Sequence, residues 1–227
     1  MTGRIAYRYR GTSEAWGFEE FAITRDVDGN RTLVAHCEME LDGKAVVRES
    51  TLTIDQDYQP VDAFVRTLNS GRHTGSGWFR FANGAAESEN WSKEFGRQSQ
   101  SEAITPPLRG FGIHALIGDG WLAAAYPNEK GQGSEHFWGS NPVCSLDHLG
   151  ATGPQLEFST SGFRYDGEEE VTTPAGTFAC YKYWMIGIVN DHPPYAFWIT
   201  TDDDRLYVRG EVDGYMDSYF ELEELSR

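Results

Sequence analysis

RTLVAHCEMELDGKAVVRESTLTI, running from Arg31 to Ile54, is the stretch that decides the fold class. Its first half places an apolar residue at every second position: Leu33, Ala35, Cys37, Met39 and Leu41. A period of two puts such residues on one face of a β-strand. Asp42-Gly43 then supplies a strong hairpin signal before the chain returns. The stretch therefore predicts two antiparallel strands, 31–41 and 45–54, joined by a tight turn.

Similar patterns continue on both sides of this hairpin. We predict strands before it at 4–10 and 16–25, and after it at 61–68, 78–82 and 85–95, with a loop at 69–77. Regular strands return at 162–171, 178–189, 195–200, 205–211 and 215–225. Short connections favour an antiparallel meander with one face on an apolar interior. The expected architecture is mainly β: one domain, 1–227, formed by a curved or closed antiparallel barrel of about eleven strands.

One stretch breaks the pattern: RGFGIHALIGDGWLAAAY, from Arg109 to Tyr126. Two glycines argue against one continuous helix, so we expect a short helix over 120–126 with Asp119 as its N-cap. Residues 128–153 are rich in Gly, Ser, Asn and Pro, and loops of that length are usually functional or partly disordered. We interpret 99–161 as a loop and short-helix insertion that acts as a lid or a plug.

The composition limits the classes of partner. The net charge is −16, with 35 acidic against 19 basic residues, which argues against binding to nucleic acid or to an anionic membrane. The three cysteines are far apart, so neither a disulfide framework nor structural zinc is expected. The sequence shows no apolar leader and no run long enough to span a bilayer. We expect a cytoplasmic protein and leave a homo-oligomer open.

The C-terminal third resembles a known group. GEEEVTTPAGTFACYKYW, from Gly167 to Trp184, resembles a V-x-x-P-A-G-T-F hairpin of bacterial proteins of uncharacterised function that form an open antiparallel β-barrel. FWITTDDDRLYVR (197–209) and YFELEEL (219–225) fit the same pattern, and the likeness covers about residues 145–225. That group is similar to the half-barrels of lipoprotein carriers, so the resemblance implies a curved sheet around an apolar cavity. The N-terminal residues MTGRIAYRYRG do not resemble the leader and lipobox of the envelope relatives, so we do not expect lipoprotein traffic.

His114, Asp119 and Arg109 are the main candidates for chemistry. Apolar neighbours flank His114, so it is either an acid/base with a tuned pKa or a core histidine bonded to a backbone carbonyl. Asp119 is either a helix cap or a carboxylate that orients His114 or a substrate hydroxyl. Arg109 is either a surface residue or a clamp for a substrate carboxylate. The six histidines lack the spacing of a local metal site, and no phosphate loop is present, so neither metal nor cofactor is expected.

Aromatic residues and one further histidine complete the candidate set. Tyr183 is a candidate for holding a substrate oxygen, although tyrosines on a sheet more often pack than catalyse. His148 either reaches the barrel mouth or is an exposed loop residue. The remaining candidates for the wall of a cavity, or for an ordinary aromatic core, are Tyr181, Trp121, Trp138 and Trp198.

Three functions fit these residues. The first is a cofactor-independent lyase or isomerase that acts by acid/base chemistry on an apolar, aromatic small molecule, with His114, Asp119 and Tyr183 as catalytic groups. The second is a non-catalytic carrier or sensor of such a molecule. The third is an interaction domain whose interior is filled. The histidine in the insertion favours the first, because binding and catalytic residues concentrate in such loops.

Overall fold

Strands dominate the computed structural model of the protein, which describes residues 1–41, 43–188, 192–214 and 217–227. The first eight strands are β1 (Thr2–Tyr9), β2 (Ala15–Arg25), β3 (Arg31–Leu41), β4 (Lys44–Ile54), β5 (Pro60–Asn69), β6 (Arg72–Ala82), β7 (Ala85–Ser92) and β8 (Gly96–Ala103). A helix, α1 (Leu116–Leu122), and a 3-10 turn, Asn128–Lys130, follow. The remaining strands are β9 (Glu135–Phe137), β10 (Asn141–Val143), β11 (Glu157–Ser159), β12 (Gly162–Thr173), β13 (Gly176–Ile186), β14 (Tyr195–Thr200), β15 (Tyr207–Val212) and β16 (Ser218–Ser226).

Fourteen of these strands form one curved antiparallel sheet. Its order is β8-β7-β6-β5-β4-β3-β2-β1-β16-β15-β14-β13-β12-β9, while β10 and β11 pair separately. Within the described chain, β8 and β9 are the two edges and do not pair with each other. The mainly β, antiparallel and curved architecture is therefore confirmed. Closure into a barrel and the number of about eleven strands are wrong.

The hairpin of β3 and β4 forms as its alternation predicts. Leu33, Ala35, Cys37 and Met39 are all buried, and Arg31 lies opposite Ile54 across the pair. Gly43 has a φ of +72°, which suits the turn, whereas its predicted partner Asp42 lies outside the described residues. The predicted strand end at Val189, the turn at 190–194 and the strand start at Tyr215 also fall wholly or partly outside them.

Two segments predicted as irregular are strands. Most of the predicted loop 69–77 belongs to β6, where Gly75 and Gly77 replace the apolar residues that a period of two requires. A Cβ on Gly75 would lie 2.8 Å from the Cα of Gly153, so the small residue lets the 104–161 segment approach the sheet. β8 is polar throughout, and its backbone pairs with β7 at the edge. The irregular part therefore begins near residue 104, and not at 99.

Helix α1 lies four residues before its predicted position. It spans Leu116–Leu122, its N-cap is Ala115 without a side-chain cap bond, and Asp119 is inside the helix. The predicted N-cap role of Asp119 is therefore wrong. Gly120 allows the helix to pack closely, because a Cβ there would lie 1.9 Å from the carbonyl oxygen of Arg205. With seven residues, α1 is the longest helix in the described ranges, and none there could cross a membrane.

The main hydrophobic core covers the inner face of the sheet and the facing side of the 104–161 segment. On β12 to β15 it is rich in rings: Tyr165, Phe163, Tyr183, Phe197 and Tyr207. A smaller cluster lies on the outer face of the same strands: Val171, Cys180, Ala196, Trp198 and Val208. Aromatic side chains thus fill part of the interior, and the remaining space is concentrated beside α1.

Candidate ligand-binding site

A cavity of about 170 Å³ lies between the 104–161 segment and the inner face of the C-terminal strands. Apolar side chains form much of its wall, among them Leu116, Leu122, Val143, Leu149, Met185 and Ile188. Its polar lining includes Arg109, His114, Asp119, His148, His192 and Tyr195. The structure thus brings together four of the residues predicted from the sequence: Arg109, His114, Asp119 and His148.

Two buried charges on the sheet hold the wall of the cavity. Glu19, on β2, is fully buried and accepts hydrogen bonds from the backbone N–H groups of Leu116 and Ile117, at 2.9 and 3.0 Å. These are donors that the first turn of α1 leaves without an intrahelical partner. Arg48, on β4, donates to the carbonyl oxygens of Leu149, at 2.8 Å, and of His114. The sheet therefore positions both stretches that flank the cavity.

The carboxylate of Glu19 lies close to a positive charge and to three hydrogen-bond donors. Burial raises the pKa of its carboxyl group, whereas the nearby Arg48 charge and three hydrogen bonds lower it. The third of these bonds comes from the hydroxyl of Tyr7, 3.0 Å from Oε2. This network was not predicted, because its members come from β1, β2 and β4 and share no sequence motif.

His114 lines the cavity with its ring held by one hydrogen bond. Nε2 lies 3.0 Å from the carbonyl oxygen of Ser145, which can only accept, so Nε2 carries the proton and Nδ1 the lone pair. Burial, and then the charge of Arg48, lower the pKa of the ring to about 4. The backbone of His114 has a φ of +60°, an uncommon conformation for this residue. The ring is thus neutral at pH 7 and a weak base. Its bond to a backbone carbonyl agrees with the interpretation of His114 as a core histidine.

Asp119 has a different environment from the one predicted. Its Oδ2 accepts a hydrogen bond from the hydroxyl of Tyr195 at 2.9 Å, and that hydroxyl lies 3.1 Å from the hydroxyl of Tyr207. Burial raises the pKa of Asp119 to about 7, against the lowering effect of the Tyr195 hydrogen bond, and the charge of Glu19 raises it further. No hydrogen bond joins Asp119 to His114 among the described residues, so the orienting role is wrong. Its carboxyl group titrates near neutrality.

Arg109 is buried, with 2% of its surface exposed, so the surface interpretation is wrong. Its Nη1 donates to the hydroxyl and carbonyl oxygens of Ser161, at 2.9 and 3.2 Å, and the guanidinium lies over the ring of Phe163, 4.9 Å from its centroid. Its Nε is buried without a hydrogen-bond partner in the described part of the chain. Burial lowers the pKa of Arg109 to about 10, and the charge of Asp119 opposes that effect.

The two predicted tyrosines of β13 lie outside the cavity. Tyr183 is 1% exposed, and its hydroxyl donates to Oδ1 of Asn128 at 2.8 Å. Burial raises its pKa further above the range in which it could exchange protons at neutral pH. Tyr181 packs against Tyr183, and the guanidinium of Arg205 lies 5.0 Å from the centroid of its ring. Both pack in the core and neither lines the cavity, so the geometry gives no support to their predicted roles with a substrate.

The three predicted tryptophans also lie elsewhere. Trp121 is buried and donates from Nε1 to the carbonyl oxygen of Asp204 at 3.2 Å. Trp138 packs against the ring of His136, with centroids 4.4 Å apart. Trp198 belongs to the outer-face cluster and donates from Nε1 to Oε1 of Glu169 at 2.5 Å. They pack within the fold, and none of the three lines the cavity.

Tyr195 and His192 are ring-bearing polar residues of the cavity that were not among the predicted site residues. Tyr195 shares the inner face of β14 with Phe197, so strand alternation could have indicated its direction. His192 precedes two prolines in an irregular stretch, where no periodicity applies, and its ring centroid lies 5.4 Å from that of His148. Within the described ranges, no three side chains of His, Cys, Asp or Glu are arranged to hold a metal ion.

Comparison with solved structures identifies the fold. The chain is similar to a β-barrel-like protein of the domain of unknown function DUF1849 from Brucella abortus, with a TM-score of 0.54, 12% identity and coverage of 99% of this chain and 97% of that one. It is also similar to a DUF1089 family protein from Pseudomonas aeruginosa, with a TM-score of 0.51, 10% identity and coverage of 89% and 91%. No family model and no curated protein matches the sequence. The predicted resemblance to bacterial β-barrel-like proteins of uncharacterised function is confirmed, for the fold alone.

Proposed function

We propose that the protein binds a small, largely apolar molecule in the cavity beside α1, as a carrier or a sensor. The observation that supports this best is the cavity itself, with a volume of about 170 Å³ and a wall whose surface is mainly apolar. A buried apolar cavity of about 150 Å³ is large enough to take benzene. The proposed ligand is therefore about one ring, or a short branched chain, in size.

Catalysis by His114, the sequence-based hypothesis, has less support than binding. A general base works best when its pKa is near the working pH, and that of His114 is about 4. Its ring is tied to Ser145 and has no hydrogen bond to Asp119 in the described structure. His114 fits better as a neutral, fixed polar group that orients a ligand.

A lyase or isomerase remains the second candidate, with Asp119 in place of His114 as the acid/base. The observation in its favour is a pKa of about 7 for a carboxyl group in the cavity wall, hydrogen-bonded to Tyr195. If turnover of a bound molecule is found, Asp119→Asn should abolish it and leave binding of that molecule within about twofold. Equal loss of binding and turnover would contradict this role.

Binding is tested by saturation-transfer NMR with toluene and benzyl alcohol as probes. Val143→Phe would fill the cavity, because Val143 lines it and is 8% exposed. Val34→Phe is the matched control, since Val34 is 52% exposed on the outer face of β3. We expect both probes to give signals with the wild type and the control, and none with Val143→Phe. Absence of signals from the wild type, or equal signals from all three folded proteins, contradicts the proposal.

A further inference from the structure

Arg109 is a buried cation without an acidic partner in contact. No carboxylate of the described chain lies within 4.0 Å of its guanidinium, whereas thirteen other pairs of an arginine or lysine with a carboxylate meet that distance. Burying an unpaired charge is costly, and buried charges are therefore normally paired. Arg109 is one of the residues that line the cavity, so its guanidinium lies beside the space that a ligand would occupy.

The hydrogen bonds of Arg109 leave part of its donor capacity unused. A guanidinium has five N–H donors in a fixed fork, which suits a carboxylate. The two oxygens of Ser161 accept the hydrogen bonds from Nη1, and Nε has no hydrogen-bond partner in the described structure. The ring of Phe163 below the guanidinium fixes its plane without neutralising its charge. The side chain is therefore positioned before any anion binds.

Asp119 is the nearest candidate for an internal counter-ion, and it does not take that role. Its Oδ2 is bound to the hydroxyl of Tyr195, and it forms no ion pair with Arg109 within the described ranges. Its charge acts on Arg109 only from a distance. The positive end of the cavity is thus open to the acidic group of a ligand, and the apolar wall is suited to the rest of it.

From this geometry we propose that the ligand is a small monocarboxylate, with one ring or a short branched chain, whose carboxylate binds Arg109. The inference rests on the proposed binding function and specifies its ligand class. The carboxylate accepts hydrogen bonds from the guanidinium, and the apolar part contacts side chains such as Leu116 and Met185. Neutral molecules of the same size fill the apolar part but leave Arg109 unpaired.

Benzoate and benzyl alcohol are the matched probes for this inference, measured by NMR titration against the intact protein. We expect the wild type to bind benzoate about tenfold or more tightly than benzyl alcohol, because hydrogen bonds to a charged group are stronger than neutral ones. Arg109→Gln should abolish that preference and leave the affinity for benzyl alcohol within about twofold. Arg109→Lys, which keeps the charge but loses the fork, should retain part of it.

A charge control excludes a non-specific effect. Arg97→Gln makes the same change of net charge at a side chain that is 81% exposed, and it should leave both affinities unchanged. If both probes bind the wild type equally, the carboxylate inference is overturned while the binding function stands. If neither binds, the binding function itself fails. If thermal unfolding shows that an Arg109 variant does not fold, the comparison of the two probes on the wild type still tests whether the site prefers a carboxylate.

Discussion

Asp119→Asn should make the protein more stable at neutral and alkaline pH. The pKa of Asp119 is about 7 in the folded protein, against an ordinary value of 3.8, chiefly because of burial. Between these two values the folded state binds more protons than the unfolded state, so the free energy of unfolding decreases as the pH rises. This loss begins near pH 4 and is complete just above pH 7. Asparagine does not ionise, so the Asp119→Asn variant does not lose stability in this way.

The size of the effect follows from the same two values. The difference between a pKa of 3.8 and one of about 7 corresponds to a loss of at most about 4 kcal/mol in the free energy of unfolding, at about 1.4 kcal/mol for each pKa unit. Asp119 is only partly buried by its accessible surface, so we reduce this limit for screening by solvent. We therefore expect Asp119→Asn to gain roughly 2 kcal/mol relative to the wild type above about pH 7, and to lose that advantage towards about pH 4.

Urea denaturation of both proteins from about pH 5 to pH 8.5, followed by tryptophan fluorescence, measures this difference. The difference between the two proteins isolates Asp119, since all other titrating groups are common to both. Glu102→Gln, at an exposed position of β8, serves as the control and should differ from the wild type by a constant amount. A constant difference for Asp119→Asn across this range would refute the argument that Asp119 is protonated in a buried site.

Three further substitutions or reactions test the packing around the cavity. Glu19→Ala should cost about 3 kcal/mol or more in the free energy of unfolding measured in urea, because it removes the negative charge nearby from the buried Arg48 and leaves two N–H groups of α1 without their acceptor; a loss below about 1 kcal/mol would contradict this. Gly120→Ala should lower stability by about 2 kcal/mol, because its Cβ would meet the Arg205 carbonyl oxygen at 1.9 Å. Gly118→Ala is its matched control, with the nearest atom at 3.6 Å, and should be neutral or slightly stabilising in thermal unfolding. All three cysteines are free and buried, so a thiol reagent should react with them only after denaturation, and rapid reaction of the native protein would count against the core described here.

The sheet was predictable wherever side chains alternate. β3 and β4 lie within one residue of their predicted bounds, because Leu33 and its apolar neighbours at every second position need a buried face. β8 was missed because the sequence GRQSQSEA offers no apolar face, and only its pairing with β7 makes it a strand. The choice between a curved and a closed sheet stayed open for a related reason, since local patterns do not show whether the two edge strands meet.

The site was predictable in its location and only partly in its chemistry. Arg109, His114 and Asp119 were identified because polar residues interrupt an apolar, glycine-rich stretch, and all three line the cavity. The contacts that decide their behaviour come from distant strands, namely Tyr195 for Asp119 and Arg48 for His114. No spacing in the sequence indicates such partners, so the predicted pairing of His114 with Asp119 was wrong.

The order of strands has a kinetic consequence. β1–β8 and β12–β16 are two runs of consecutive hairpins, and the pairing of β1 with β16 joins them, with Thr2 opposite Ser226. Each hairpin closes a short loop, whereas this junction must bring together residues from opposite ends of the sequence, which is slower. Glu19 and Arg48, which hold the stretches flanking the cavity, belong to the first run. Strands of the second run line the cavity. We therefore expect the cavity to form after the junction, so that only completely assembled molecules contain it.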